Sequence, residues 1–372
     1  MPTNEAKIIL KKVLLSFTAI DERKTGKCRR FRYLVIPGNN TTRWIVPENS
    51  KYAHKVMSQW QPYGTVSLIK WYAVRLLYRL QLLKLLPVIR TITDDTGKEL
   101  YIPNTQTEVM PVIYVGTPGN QQKAVVTVVD INTAKSLAVI KVAIAEAAVH
   151  CLLREAKILT QLAKLNVINI PKILYKNVYN QSTWQSVLDG SPTSRKLTKN
   201  HVDWLLQLPK YIELSSFGEQ ARKLHQLMSI TSELFSSEQK QLLIKAIESI
   251  ENNIDIPLVL VHGDFAPWNI KKSTDHKLLI MDWEDSSFNG LPLWDLCHFY
   301  IIQEYLFNDI KSFQLMRSCK LIHYYVESIG ITHLSKSMLY ILYCLYQILD
   351  GKNVSEKYKG FLFHKIRMVI EE

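Results

Sequence analysis

The chain has 372 residues, 47% of them hydrophobic, enough for packed cores and for two or three domains' worth of structure. Its 46 basic and 33 acidic residues leave a formal charge of +13, which suits nucleotide phosphates, an acidic substrate or an anionic membrane surface. Nucleic acid is not an expected partner, because no zinc-finger spacing, basic-zipper pattern or aromatic RNA-binding signature occurs.

The five cysteines, Cys28, Cys151, Cys297, Cys319 and Cys344, are odd in number, far apart and mostly set in apolar runs. They read as reduced core residues rather than a disulfide framework. The apolar run from Ile8 to Ile20 is interrupted by Lys11 and Lys12 and has no signal-peptide pattern, so a cytoplasmic location is expected.

Residues 1–105 read as an N-terminal α/β extension of unknown role. In it, Arg30 to Pro37 and Thr42 to Pro47 predict two short strands around the turn-rich Gly38-Asn39-Asn40, a hairpin. Val66 to Leu86 is apolar and free of Pro and Gly, which predicts one long helix. Lys70, Arg75, Arg79 and Lys84 punctuate it and make a membrane-spanning helix costly. Projected at about 100° per residue, Lys70, Gln81 and Lys84 share a face and Arg75 and Arg79 lie roughly opposite, so no single amphipathic face emerges. The expectation is a helix packed between the extension and the rest of the chain with its cations snorkelling. Peripheral membrane contact is the alternative.

Three strand-like runs follow, Val109 to Val115, Ala124 to Val129 and Leu137 to Ala143. The first two are joined by Gly116-Thr117-Pro118-Gly119-Asn120-Gln121-Gln122-Lys123, where Gly116 and Gly119 could let backbone amides fold over phosphates. That segment matches neither a full Gly-x-Gly-x-x-Gly pattern nor a Walker loop, and an ordinary hairpin turn explains it equally well. The third run carries Lys141, whose ammonium needs a counter-charge if it stays in an apolar strand. Ala145 to Leu162 predicts a helix containing Glu146 and Glu155. Lys172 to Tyr179 and Ser182 to Leu188 predict two more strands, ending at Asp189-Gly190-Ser191-Pro192, a punctuation suited to a hinge. Asn200 to Asn253 and Leu296 to Glu372 show mainly helical periodicity.

The most informative stretch is Val261-His262-Gly263-Asp264-Phe265-Ala266-Pro267-Trp268-Asn269-Ile270, followed by Leu278-Leu279-Ile280-Met281-Asp282-Trp283-Glu284-Asp285. Apolar residues before His262 and before Asp282 predict two buried strands, so the polar residues after each emerge at strand ends. Phosphoryl transfer from ATP needs one carboxylate to orient and deprotonate an acceptor hydroxyl, and oxygen ligands to hold magnesium against the phosphates. Asp264, Asn269 and Asp282 supply that set. Turn propensity explains each of these residues separately but not their order and spacing. A hydrolytic metal centre on His262, Asp264, Asp282 and Glu284 is less well supported, since no second His-rich ligand set accompanies it.

The pattern resembles the aminoglycoside phosphotransferase and choline kinase-like family, whose fold is that of protein kinases. Asp264 and Asn269 keep the Asp-to-Asn spacing of the kinase catalytic loop, with Gly263 where protein kinases have arginine, and Asp282-Trp283-Glu284 stands where they have Asp-Phe-Gly. Leu137-Ala138-Val139-Ile140-Lys141 is similar to the kinase Val-Ala-Ile-Lys, and Gly290-Leu291-Pro292-Leu293-Trp294-Asp295-Leu296 also resembles the family.

The resemblance covers residues 106 to 372. It implies an α+β, two-lobe fold, with a small antiparallel sheet lobe over 106–188 and a mostly helical large lobe over 189–372 that holds the catalytic loop. It further implies that Asp264 is the catalytic base, that Asn269 and Asp282 bind magnesium, and that Lys141 contacts the phosphates of ATP while paired with Glu155. Glu146 is the competing partner, too near Lys141 in sequence to sit on the inner face of the helix. Asp295 would support the catalytic loop, and backbone groups near Ser186 to Leu188 would meet adenine. Glu284 is open between magnesium, substrate and a loop-stabilising role. Acceptors consistent with the family are sugars, glycan precursors, amino alcohols and aminoglycosides, with Trp204, Trp268, Trp283 and Trp294 available for stacking or for the core. A nucleotide-binding pseudokinase and a membrane-surface scaffold acting through the extension are the rival functions.

Overall fold

The computed structural model describes residues 2–18, 31–38, 41–94, 100–102, 107–177, 181–250, 253–351 and 354–371. Ile20, Cys28, Arg30, Asn39, Asn40, Tyr179 and Glu372, named above, lie outside the described residues. Two compact units are present, Met1–Thr193 with Ile270–Glu284, and Ser194–Asn269 with Asp285–Glu372.

The first unit is built on a sheet of nine strands: β1 (Arg32–Pro37), β2 (Thr42–Pro47), β3 (Arg90–Thr93), β4 (Leu100–Tyr101), β5 (Glu108–Val115), β6 (Lys123–Asp130), β7 (Ser136–Ala143), β8 (Ile173–Asn177) and β9 (Ser182–Gln185). Their order is β3-β1-β2-β5-β6-β7-β9-β8, with β4 paired to β5. Side chains alternate across a strand, and here both faces are buried. Tyr33 and Val35 of β1 and Ile45 of β2 enter one core, whereas Leu34, Ile36, Trp44 and Val46 enter the other.

The first core is closed by α1 (Pro2–Thr18), whose Ala6, Ile9, Leu10, Val13, Leu14 and Phe17 recur at helical spacing and are all buried. Each large side chain buried this way stabilises the unit by about 1.5–3 kcal/mol before entropy is counted. Glu5 fastens the helix to the sheet by accepting from the Thr42 amide at 3.0 Å and its hydroxyl at 2.9 Å, and the Lys12 ammonium donates to the Ile144 carbonyl at 2.8 Å. Strands β1 to β3 join the later ones through β2 and β5, in the register Trp44↔Tyr114 and Ile45↔Ile113, and β4 pairs directly with β5, with Leu100 opposite Val109.

The second core lies under α2 (His54–Ser58) and α3 (Thr65–Arg79). The long helix expected over Val66 to Leu86 ends early. Gln81 adopts a left-handed φ of 59°, its amide donates to the Tyr78 carbonyl at 3.0 Å, and the Leu82 amide donates to the Leu77 carbonyl at 2.8 Å. This is a Schellman stop with glutamine in the place that glycine usually takes, so the sequence carried no obvious terminator. The packing expected for this helix also needs correction. Trp71, Val74, Leu77 and Tyr78 meet the second core, but Val66, Ile69, Tyr72 and Leu76 face outward and are exposed.

The helix after β7 is α4 (Ala148–Lys164), beginning three residues later than expected. A short sheet of β10 (Ser191–Pro192), β13 (Ile270–Lys272) and β14 (Leu278–Ile280) completes the first unit, with Ile270 opposite Ile280.

The second unit is mainly helical: α5 (Lys199–Leu206), α6 (Phe217–Thr231), α7 (Ser237–Ile250), α8 (Trp294–Phe307), α9 (Ser312–Ser318), α10 (Lys320–Ser328), α11 (Lys336–Leu349) and α12 (Glu356–Glu371). Its strands β11 (Lys210–Ser216), β12 (Asp255–Val261) and β15 (Ser287–Gly290) form a small sheet with β12 in the middle. Helices α8 and α11 are apolar nearly all round and buried, which places them at the centre of this unit. Cys151, Cys297, Cys319 and Cys344 are free thiols. Among the described residues no helix is long and apolar enough to cross a membrane.

Candidate active site

In the second unit, β12 delivers the chain into a tight polar loop. Gly263 has a φ of 89°, and a Cβ there would collide with the Asp285 carbonyl, so both conformation and space demand glycine. The loop hangs on Asp295, whose two carboxylate oxygens accept the His262 amide at 2.8 Å and the Gly263 amide at 2.9 Å. Burial pushes the Asp295 carboxyl upward, against the pull of His262 and these two amides. Its support of the loop is thus visible in bonds.

Asp264 is held from both sides. Asn269 Nδ2 donates to its Oδ2 at 2.7 Å and to its backbone carbonyl at 2.9 Å, while His298 Nε2 lies 2.8 Å from Oδ1. Tyr343 extends the chain, its hydroxyl 2.8 Å from His298 Nδ1. Asp295 and His298 stand three residues apart on α8, which puts them on one face of the helix. The result is a carboxylate of fixed orientation, with its side chain 31% exposed and therefore reachable.

In the first unit, Lys141 projects from β7 between two carboxylates, 2.7 Å from Glu155 Oε1 and 2.8 Å from Asp282 Oδ1. Burial alone would lower its pKa, but Asp282 and Glu155 outweigh burial and the net direction is upward. Glu155 is fully buried on α4 and also accepts from Gln185 Nε2 at 3.0 Å and from the Trp283 amide at 3.3 Å. Glu146, the competitor, is exposed and precedes the helix.

Lys123 is a member of this cluster that the sequence reading missed. Val125 pairs with Lys141 across β6 and β7, so Lys123, two residues earlier, shares the face of Lys141. Its ammonium makes an ion pair with Glu284 and lies 3.9 Å from Asp282. Burial and the charge of Asp282 push the Glu284 carboxyl up to about 7. Two cations and three carboxylates are thereby gathered in one unit, around an Asp282 with a left-handed φ of 67°. A non-glycine residue in that region stores local strain, a feature common at functional sites.

Gly116 and Gly119 lie in the hairpin between β5 and β6. The Gly116 amide donates to the Lys123 carbonyl at 2.8 Å, and a Cβ on Gly116 would sit 2.9 Å from that same oxygen. Gly119 has open space above it. A second missed residue, Lys271 of β13, is buried and donates to Gln59 Oε1 at 3.0 Å and the Leu188 carbonyl at 3.3 Å. It occupies one carbonyl of the segment expected to meet adenine. Of the four tryptophans considered above, Trp283 and Trp204 are core residues, the latter stacked on Phe265 at 6.1 Å; Trp268 and Trp294 are half-buried.

In the first unit Asp282 and Glu284 offer carboxylate oxygens, the donor type a hard cation prefers. In the second unit the bond from Asn269 Nδ2 to Asp264 leaves the amide oxygen of Asn269 as its donor atom. Among the described residues no group of three or more His, Cys, Asp or Glu side chains is arranged to hold a metal by itself. Magnesium commonly takes only one or two carboxylates and completes its shell with phosphates and water.

Residues 113–311, more than half of the chain, match the phosphotransferase enzyme family, APH, and the chain belongs to that family. It is a small-molecule kinase with a hydroxyl acceptor, and its α+β fold is the kinase-like one expected. No curated protein matches it in sequence. Among solved structures, choline kinase LicA from Streptococcus pneumoniae is similar at 14% identity, covering 71% of this chain and 94% of that one, with a TM-score of 0.45. A thermostable mutant of aminoglycoside phosphotransferase APH(4)-Ia is similar at 12% identity, over 71% and 95%, with a TM-score of 0.47. Macrolide 2'-phosphotransferase MphH from Brachybacterium faecium is similar at 13% identity, over 67% and 91%, with a TM-score of 0.45.

Proposed function

We propose that this enzyme moves the γ-phosphate of ATP to a hydroxyl of a sugar, glycan precursor, amino alcohol or aminoglycoside-like molecule, with Asp264 as the base. The observation that carries this reading is the Asp264 carboxylate, fixed by Asn269 and His298 yet reachable. Asp264 takes the proton of the acceptor hydroxyl, the acceptor oxygen forms its bond to phosphorus, and the bond from phosphorus to the ADP oxygen breaks as ADP leaves. Asn269 and His298 keep the carboxylate aimed, so little reorganisation is needed at the moment of transfer.

Lys141 binds phosphate oxygens, with Glu155 fixing its position. Lys123 adds a second cation on the same face, and the hairpin carrying Gly116 and Gly119 lies at the end of its strand. Magnesium held by Asp282 and Asn269 would neutralise phosphate charge when bound. In this reading residues 106–188 serve the nucleotide, residues 189–372 carry the base and the acceptor-binding helices, and the setting is cytoplasmic.

ADP release tests the proposal. The protein with ATP and magnesium is offered sugars, amino alcohols and aminoglycosides, and ADP should appear above the acceptor-free rate with at least one class. No acceptor-dependent ADP from any of them, in a protein that binds ATP, would favour a nucleotide-binding pseudokinase.

A further inference from the structure

The face of α3 that turns away from the second core is unusual in composition. Val66, Ile69, Leu76 and Leu80, with Leu85 and Val88 beyond the helix, are between 56% and 72% exposed. Eight of the twenty-one exposed large apolar side chains among the described residues fall between positions 66 and 88. Single exposed apolar residues are ordinary, but a contiguous group marks a contact surface.

The arrangement is directional. Because the helix stops at Arg79, only its own residues belong on one projection. At about 100° per residue, Val66, Ile69 and Leu76 then fall within roughly 80° of arc, with Lys70 on one flank and Tyr72 and Arg79 on the other; the exposed Leu80 follows at the C-cap. Gln81 and Lys84 lie past the helix end and do not share this face. No Asp or Glu occurs between Glu48 and Asp94, whereas that stretch carries seven Lys and Arg residues. Lys84 reaches Glu48 at 3.4 Å, and Lys55 reaches Asp189 at 2.7 Å. The local potential registers on His54, held below its ordinary pKa by burial and then by Arg79 and Arg75.

We infer that α3 and the turn after it, through Val88, dock this enzyme on an anionic lipid surface, apolar stripe inward and cations at the headgroups. An interfacial helix needs this combination of an exposed apolar strip with flanking Lys and Arg. A two-fold contact with a second copy would press the same cationic surface against itself. An anionic bilayer satisfies both the apolar strip and its flanks. The inference does not depend on the identity of the acceptor.

Vesicle flotation of the full chain tests it. The protein should float with vesicles of phosphatidylcholine mixed with phosphatidylglycerol, stay behind with phosphatidylcholine alone, and be released as salt rises to about 0.5 M. Lys70→Gln with Arg79→Gln should weaken partitioning about thirtyfold. Ile69→Gln with Leu76→Gln should abolish flotation. Both pairs lie on the outer surface, so each variant should keep the wild-type melting temperature and its turnover of a soluble acceptor. Failure of the wild type to float, or equal flotation with neutral vesicles, would overturn the inference. So would a dimer in light scattering that Ile69→Gln with Leu76→Gln dissociates, since the face would then belong to a second copy.

Discussion

At the residue scale, the site was legible where its parts lie close in sequence and hidden where they do not. Asp264, Asn269 and Asp282 stand within two short segments, so their spacing, their oxygen chemistry and the family resemblance together pointed to them. His298 is 34 residues from Asp264 and Lys123 is 161 residues from Glu284, and nothing local marks either as a partner. Gly263 was read from family pattern, but its cause is physical, a left-handed turn pressed against the Asp285 backbone. His298 is a positioning residue in this account, because it acts on the carboxylate rather than on the substrate. His298→Ala should lower kcat by about tenfold to a hundredfold and leave the KM for ATP within about twofold. His298→Gln, which retains a donor, should recover part of the loss. Steady-state kinetics would contradict this role if KM rose while kcat stayed unchanged.

At the scale of elements, periodicity placed most strands of the first unit within one or two residues, because buried alternation is a strong local signal. It did not yield α1, although Ala6, Ile9, Leu10, Val13, Leu14 and Phe17 hold helical spacing, since Lys11 and Lys12 interrupt the apolar run from Ile8 to Ile20. It also extended α3 past its stop, for want of a glycine. Another element makes a prediction about pH. His201 caps α5, where its Nδ1 takes the Thr198 amide at 3.1 Å, and its ring lies near Phe299 at 5.7 Å. Burial pushes its pKa down to about 4. Folded His201 therefore stays neutral while the unfolded chain takes up a proton below about 6.5, so its stability contribution is full above that pH. Between pH 6.5 and 4 the second unit should lose up to about 1.4 kcal/mol per pH unit from this group. Urea unfolding at a series of pH values should show a shallower decline for His201→Gln than for wild type. Equal slopes would contradict the assignment.

At the scale of the whole molecule, the first hundred residues had no legible role because their partners lie beyond them in the chain. The structure gives them two cores: α1 covers one face of the sheet, and α2 and α3 cover part of the other. Deleting residues 1–106 should bare Ile113, Val126 and Ile140, and the shortened chain should aggregate or melt well below the full one. A monomer of unchanged melting temperature and activity would show that the extension is an independent module. The account as a whole rests on Asp264 acting as the base, and one comparison tests that most directly. ADP release at saturating ATP, magnesium and acceptor is measured for wild type and Asp264→Asn, with nucleotide affinity of both determined by calorimetry. The account predicts a turnover lower by about 10² to 10⁴ with ATP affinity within a few-fold of wild type. An Asp264→Asn enzyme that kept most of its turnover would contradict it.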